Sequence, residues 1–99
     1  MFTGGTRSAS FIHSKLLKNS RVSHDLMHVS DWLPTLLAAA GYDVTKEKGY
    51  KLDGMNLWET LKNPGVKSPR TEVLLNIDDQ MFKNAALRVG DWKIIKQGV

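Results

Sequence analysis

The 99-residue sequence predicts a domain of the α/β or α+β class. Three observations lead to this class: an apolar segment with helical spacing at His28–Gly41, a capped helix within Leu52–Gly65, and two β-favouring runs joined by a tight turn at Ala85–Ile95. The predicted order along the chain is loop, strand, helix, helix and then three strands. Because no segment repeats along the chain, a repeat architecture is not predicted.

Residues 3–24 are predicted to contain a loop, a short strand and a surface connection. Gly4 and Gly5 favour a loop, because glycine turns the backbone without steric cost. The stretch Ser8–Ser14 alternates small or polar residues with apolar ones, which predicts a strand. The polar stretch Lys15–His24 then connects this strand to the first helix.

The first helix is predicted around residues 31–40. Its apolar residues recur at positions i, i+3, i+4 and i+7: Leu33, Leu36, Leu37 and Ala40. Ser30 is the predicted N-cap, Pro34 fits the first turn, and Gly41 suits the left-handed position after the helix. Because Trp32 and further alanines widen the apolar surface, we expect this helix to be covered on more than one side. A chain of this size offers little surface for that purpose.

A second, shorter helix is predicted between Asp53-Gly54 and Pro64-Gly65. Asn56 is expected to cap it, and Glu59 stands three residues later, as in a capping box. Its buried face is predicted to consist of three apolar residues: Leu57, Trp58 and Leu61. The three tryptophans are interpreted as core residues rather than as a platform for a ligand: Trp32, Trp58 and Trp92.

The C-terminal part is predicted to form antiparallel strands. Thr71–Ile77 favours a strand that places Val73, Leu75 and Ile77 on one face. The next two runs are joined by Gly90-Asp91, a pair that fits a two-residue primed turn. We therefore expect a β-hairpin at this turn.

The composition excludes several classes of function. Fourteen Lys and Arg against ten Asp and Glu give a net charge of +4, but the basic residues are scattered, whereas nucleic-acid surfaces show clusters. The longest apolar run, Leu36–Ala40, is far shorter than the ~20 residues of a membrane helix, and residues 1–15 lack the apolar stretch of a signal peptide. Without cysteine, the chain contains no disulfide, thiolate zinc site or cysteine nucleophile.

Two clusters of polar residues leave alternatives open. His24 and His28 are four residues apart, as two metal ligands on a helix are, or they are a loop histidine and a hydrogen-bonded, partly buried one. Asp78-Asp79 fits either a site for a hard cation or a turn that begins with Asp, and we favour the turn.

The loop Gly4–Arg7 offers backbone amides and a guanidinium to an anion, but lacks the spacing of a P-loop. Residue chemistry alone predicts no catalytic constellation.

Six motifs follow one another in the order found in sulfatases. They read GGTR, FIHSKLLK, LMHVSDWLPTLLAAAG, LDGMNLWETL, SPRTEVLLNID and AALRVGDWKII. The chain therefore resembles the sulfatase family from Gly4 to about Lys96, and most closely its arylsulfatase B-like branch. The D-W-L-P-T-L arrangement is shared broadly, whereas S-P-R-T-E-x-L-x-N-I-D and A-x-R-x-G-D-W-K point to that branch.

The resemblance implies a fold of the α/β class. This fold would be a part of an alkaline-phosphatase-like domain with two short helices and a C-terminal antiparallel hairpin. Residues 1–66 would form the end of the catalytic domain, and residues 67–99 the start of a smaller domain with an antiparallel sheet. The helix Trp32–Ala40 would then pack on a central sheet that lies outside these residues.

The resemblance also implies a chemistry that these residues do not carry. The family hydrolyses sulfate esters with a formylglycine, made from a C/S-x-P-x-R motif, and with calcium, which polarises the sulfate. The motif is absent, because Ser68–Arg70 has the wrong spacing, and Asp78-Asp79 is not the counterpart of the family's N-terminal metal pair. We therefore predict no catalytic and no metal-binding residue here, and a fragment that is inactive alone.

Some roles follow from the resemblance for residues near the active site of the full-length enzyme. Gly4, Gly5 and Arg7 are predicted to support the active-site loop from behind, and Asn76 and Asp78 to lie at the rim of the substrate cleft. The full-length enzyme would act on a sulfated small molecule or a glycosaminoglycan. It would be lysosomal or secreted, although no targeting signal is visible in this chain. No nucleic-acid or membrane partner is predicted.

Two functions of other classes stay open. The chain is alternatively a small autonomous, non-catalytic binding or scaffold domain. A third possibility is a catalytically dead paralogue that binds sulfated sugars through its basic residues, which the scattered charge argues against.

Overall fold

The computed structural model describes residues 3–46, 49 and 51–98. The chain divides into two compact units, one made of Met1–Ile12 with Thr71–Val99 and one made of His13–Arg70. Among the described residues, no helix is long and apolar enough to cross a lipid bilayer. The boundary predicted after residue 66 concerns the domains of a longer enzyme and stays a prediction.

The unit His13–Arg70 contains both predicted helices. Helix α1 spans Trp32–Ala39 and helix α2 spans Trp58–Lys62. Single turns of 3-10 helix lie at Val29–Asp31 and Val44–Lys46. The helical spacing of apolar residues therefore located α1, and the turn and stop residues Asp53-Gly54 and Pro64-Gly65 located α2.

The start of α1 differs from the prediction, because the 3-10 turn Val29–Asp31 precedes it. The predicted N-cap, Ser30, lies inside this turn and is not the cap. Instead Nδ1 of His28 accepts a hydrogen bond from the Ser30 amide, and the Asp31 carboxylate accepts one from the His28 amide at 2.8 Å. At the other end Gly41 has a φ of 81°, as expected for the residue that follows a helix.

Helix α1 buries its polar side and exposes its apolar side. Asp31 and Thr35 are fully buried, whereas Leu33 is 55% and Leu36 is 51% exposed. The exposed residues recur at helical spacing, and we call them the outer face of α1: Val29, Leu33, Leu36 and Ala40. A surface helix of a free-standing domain normally has the opposite arrangement. The outer face of α1 therefore lacks an apolar cover within the described part of the chain.

The short helix α2 forms much as predicted. The N-cap is Leu57 and not the predicted Asn56, which lies one residue earlier. Oδ1 of Asn56 nevertheless accepts a hydrogen bond from the Trp58 amide at 2.9 Å. The carboxylate of Glu59 contacts Lys62 and Asn63 on the following turn. In the predicted capping box, this carboxylate would instead contact the backbone amide of Asn56. Leu57 and Trp58 are buried, and Leu61 is half-buried.

The other unit contains a three-stranded antiparallel sheet of order β1-β2-β3. Its strands are β1, Glu72–Ile77; β2, Ala85–Val89; and β3, Trp92–Lys96. The predicted hairpin is confirmed, since Gly90-Asp91 joins β2 to β3 and Gly90 has the positive φ of 55° that a primed turn requires.

A β-bulge at Leu75 changes the predicted face of β1. Leu74 pairs with Leu87, but Asn76 pairs with Ala86, so Leu75 is the extra residue and the alternation reverses after it. Val73 is consequently buried, whereas Ile77, predicted on the same face, is exposed.

Two further predictions are wrong, one for Ser8–Ser14 and one for Trp92. The stretch Ser8–Ser14 forms no strand, because a strand requires a neighbour for its backbone hydrogen bonds, and Phe11 within it is almost fully exposed. Trp92 is 83% exposed and is not a core residue, although Trp58 is.

Candidate functional site

The carboxylate of Asp31 accepts four hydrogen bonds within the unit His13–Arg70. Its Oδ1 accepts hydrogen bonds from the Met55 amide at 2.7 Å and from Nη2 of Arg70 at 2.6 Å. Its Oδ2 accepts from the His28 amide and from Nε of Arg70. One side chain thus joins the entry to α1, the loop before α2 and the segment before β1.

This ion pair is buried and strongly hydrogen-bonded. Burial by itself would raise the pKa of Asp31, but the Arg70 guanidinium and the amides of Met55 and His28 outweigh it and hold the pKa below its ordinary value. The carboxylate is therefore ionised at neutral pH, and the two parallel bonds from Arg70 fix its orientation.

The loop before α2 packs directly against the start of α1. The amide of Leu57 donates to Oγ1 of Thr35 at 3.0 Å, deep inside the unit. A Cβ placed on Gly54 would lie 1.9 Å from the carbonyl oxygen of Ser30, so only glycine allows the two backbones to approach this closely. Together with Asp31, these contacts form a buried polar layer that holds the backbone. They leave no carboxylate oxygen of Asp31 for a substrate.

Sequence reasoning missed this polar layer. Asp31 and Arg70 are 39 positions apart, and no spacing rule connects them. Two signals in the sequence point to it: an Asp at the start of an apolar helix and an Arg in the motif S-P-R.

Of the residues predicted behind an active-site loop, Gly4 and Gly5 lie in a 3-10 turn, Thr3–Gly5, and Arg7 follows it. The amide of Arg7 donates to the Thr3 carbonyl at 2.8 Å. Gly4, Gly5 and Arg7 are all exposed, and a Cβ on either glycine would meet no atom within 4 Å. Nothing in the described part of the chain requires glycine here, and the predicted supporting role stays a prediction.

The two residues predicted at the rim of a substrate cleft lie at the end of β1. Asn76 is half-buried, and the carboxylate of Asp78 accepts hydrogen bonds from the amides of Gln80, Met81 and Phe82 at 3.0–3.1 Å. These amides, Met81 and Phe82 foremost, hold the pKa of Asp78 below its ordinary value. The turn interpretation of Asp78 is thereby confirmed, and its role at a cleft stays a prediction.

A shallow cavity of about 220 Å³ lies beside this turn. Its lining includes two acidic and two basic residues. The lining residues are Ile77, Asp78, Asp79, Lys83, Asn84, Ala85 and Lys96. Lys83 has a φ of 50°, a left-handed conformation that is uncommon for a residue other than glycine. With opposing charges around a mainly apolar floor, the cavity shows no preference for an anion or a cation.

The histidine pair does not form a metal centre with its neighbours. Residues 21–28 are not helical, His24 is exposed, and Nδ1 of His28 lies 2.8 Å from Oγ of Ser30. This arrangement confirms the interpretation as a loop histidine and a hydrogen-bonded one. Within residues 3–46, 49 and 51–98, no group of three or more His, Asp or Glu side chains could hold a metal ion.

The residues present therefore do not fit the groups that the family resemblance implies. A calcium centre usually has several carboxylate ligands, and the described residues contain no group of three or more His, Asp or Glu side chains that could hold a metal ion. A formylglycine needs the C/S-x-P-x-R motif, which the sequence lacks.

Comparison with known proteins finds a curated relative that the chain matches over part of its length. No family model matches the chain. The chain is 36% identical over 110 aligned residues to Arylsulfatase J of Mus musculus, and the match covers 93% of this chain. The same match covers 18% of the mouse protein, so the chain spans about a fifth of the length of this relative.

This similarity supports a relationship with the sulfatase family. Two short helices and a three-stranded antiparallel sheet are compatible with a part of a sulfatase. The similarity thereby supports, at the level of the family, the resemblance stated from the six motifs.

Proposed function

We propose that this chain is a structural segment of an arylsulfatase B-like sulfuric ester hydrolase and has no activity of its own. The observation that carries the proposal is the 36% identity to an arylsulfatase, which extends over nearly the whole chain. The motifs S-P-R-T-E-x-L-x-N-I-D and A-x-R-x-G-D-W-K support the B-like group within the family.

The large accessible surface of the chain supports the part of the proposal that concerns a longer enzyme. The accessible surface is 8335 Å². A folded monomeric protein of this mass exposes about 5,700 Å², and two separate units of the observed sizes would expose about 6,800 Å². The excess points to surface that further polypeptide covers.

The outer face of α1 is the clearest part of this surface. Leu33 and Leu36 are both more than half exposed on a helix whose polar residue Thr35 is fully buried. We propose that the outer face of α1 packs on the central sheet of an alkaline-phosphatase-like domain. Burying one leucine fully is worth about 1.5–3 kcal/mol, so this contact would stabilise the longer enzyme substantially.

The catalytic groups would then come from other parts of the enzyme. We place the formylglycine and the calcium outside this chain, because its sequence lacks the motif and its described residues form no cluster of acidic metal ligands. Gly4, Gly5 and Arg7 would stand behind the active-site loop, and Asn76 and Asp78 at the rim of the cleft. The substrate would be a sulfated small molecule or a glycosaminoglycan, and the enzyme would be lysosomal or secreted.

Sequencing the transcript on both sides of the segment that encodes these 99 residues tests the proposal. We expect an in-frame C/S-x-P-x-R codon series upstream, and we expect the extended polypeptide, but not the 99-residue chain, to hydrolyse 4-nitrocatechol sulfate. Activity of the 99-residue chain above a buffer blank would contradict its assignment as inactive. An extended polypeptide with the motif but without sulfatase activity would contradict the assignment as a sulfuric ester hydrolase.

A further inference from the structure

Two basic residues lie directly opposite each other on the antiparallel sheet. The register pairs Arg88 of β2 with Lys93 of β3, and it pairs Arg88 with Val73 of β1 on the other side of β2. Side chains directly opposite each other share one face of the sheet, with Cβ atoms about 4.5–5.5 Å apart. The hairpin therefore brings together two cationic groups that look scattered in the sequence.

The two cations lie on the more buried side of the sheet. Val73 is 7% and Ala86 is 2% exposed, and both share the side of Arg88 and Lys93. Arg88 and Lys93 are themselves half-buried. Salt and water screen charges less well there than at a fully exposed position, and like charges directly opposite each other destabilise a strand pair. The arrangement therefore favours a bound anion that compensates both charges.

The described part of the chain supplies no carboxylate to this pair. Within residues 3–46, 49 and 51–98, neither Arg88 nor Lys93 forms an ion pair with Asp or Glu, Asp91 of the adjoining turn included. Nε of Arg88 donates to the Gly90 carbonyl at 3.0 Å, which holds the guanidinium beside the hairpin. Among the same residues, the Nη groups of Arg88 and the Lys93 ammonium have no hydrogen-bond acceptor. Donors of both side chains are thus available to a ligand.

We propose that Arg88 and Lys93 together bind one tetrahedral oxyanion, a sulfate or phosphate group. The planar guanidinium offers parallel N–H donors to two oxygens, and the ammonium contacts a third as a point charge. Two adjacent cations match the two negative charges of a sulfate ion, whereas one carboxylate carries a single charge. The site needs only residues of this chain and does not rest on the proposed function.

Titration of the isotope-labelled 99-residue chain with sodium sulfate tests the proposal. The ionic strength is held constant with sodium chloride, so that screening stays the same throughout. The Arg88 Nε–H signal and the backbone amides of β2 and β3 report on binding in two-dimensional NMR spectra. We expect saturable shifts with sulfate and binding at least about tenfold weaker with sodium acetate, because acetate carries half the charge.

The variants separate a built site from the general charge of the chain. Arg88→Met and Lys93→Met each remove one of the two cations and should weaken sulfate binding at least about tenfold. Lys96→Met is the matched control, since Lys96 lies on the same strand but on the opposite side of the sheet, and its effect should stay within about twofold. Arg88→Lys keeps the charge but loses the parallel donors, so it should weaken binding at least about threefold. Should Arg88→Met not fold, Lys93→Met and Arg88→Lys decide the question.

Three results would overturn the proposal. They are shifts that do not saturate, acetate binding as tight as sulfate binding, and equal losses in Lys93→Met and Lys96→Met. Methyl sulfate, a monoester, identifies the source of the ligand: binding within about tenfold of sulfate indicates an esterified group, and weaker binding indicates the free ion. Since no measurement here involves hydrolysis, a failed titration leaves the proposed function standing, and an extended polypeptide without sulfatase activity leaves the oxyanion site standing.

Discussion

Replacing Arg70 by methionine tests the role of the buried ion pair. The substitution keeps most of the side-chain volume and leaves the Asp31 carboxylate fully buried without its cation. Breaking a buried pair by removal of one partner costs about 3–5 kcal/mol. Because the amide of Met55 donates to the same carboxylate, we expect its hydrogen-exchange protection to fall about 100-fold or to the limit set by its wild-type protection.

Site-resolved hydrogen exchange measured by NMR suits this prediction, because it does not require a global two-state transition. Lys62→Met is the matched control, since it removes a partly exposed pair with Glu59 that is worth less than about 1 kcal/mol. Arg70→Lys keeps the charge but loses the bidentate geometry, so its effect should be intermediate. Protection of Met55 that stays within about threefold of wild type in Arg70→Met would refute the reasoning.

The same pair predicts a response to acid. The pKa of Asp31 in the folded chain lies below its ordinary value of 3.8, so the contribution of the ionised pair is complete above that value. It is lost as the pH falls through the lowered pKa of the folded state. In Arg70→Met, burial dominates, and the midpoint should move upward. Titration of the Asp31 side-chain carbon by NMR checks both midpoints, and identical midpoints in the two proteins would contradict the assignment.

Three further substitutions test other parts of the structure. Gly54→Ala places a methyl group 1.9 Å from a backbone oxygen and should destabilise the loop before α2 by about 1–3 kcal/mol or more. Gly65→Ala places its methyl group in open space and should change the stability little. Hydrogen exchange of the Leu57 amide measures both effects, and equal effects of the two substitutions would contradict the reasoning. Asp78→Ala removes the acceptor of three amides and should cost about 1 kcal/mol, seen as faster exchange of those amides and of no others. Leu36→Lys should reduce binding of the dye ANS to the 99-residue chain without loss of helical circular dichroism, and undiminished dye binding would contradict an open outer face of α1.

Local signals predicted the elements of the fold that depend on local interactions. The helical spacing that starts at Leu33 located α1, the stretch between Gly54 and Pro64 located α2, and Gly90 located the hairpin. In each case the residues that form the element lie within a few positions of one another. The chain therefore carries the signal within a short window.

The features that the sequence did not predict depend on distant residues. The strand predicted at Ser8–Ser14 needs a neighbouring strand, which no pattern inside the segment can supply. The bulge at Leu75 depends on the pairing of β1 with β2. The ion pair joins Asp31 to Arg70 across the whole unit. The exposure of apolar side chains on α1 was expected in part, because the width of its apolar surface indicated that the helix packs against more surface than the chain offers.

The reactivity of a thiol at position 36 tests most directly whether the chain itself covers the outer face of α1. In this cysteine-free sequence, Leu36→Cys and the exposed reference Lys51→Cys each provide one site for a thiol reagent. We predict that the two thiols of the monomeric 99-residue chain react within about threefold of each other, because Leu36 is half exposed. A thiol at position 36 that reacts about 100-fold more slowly in a monomer would show that the chain covers this face by itself, and would contradict the account.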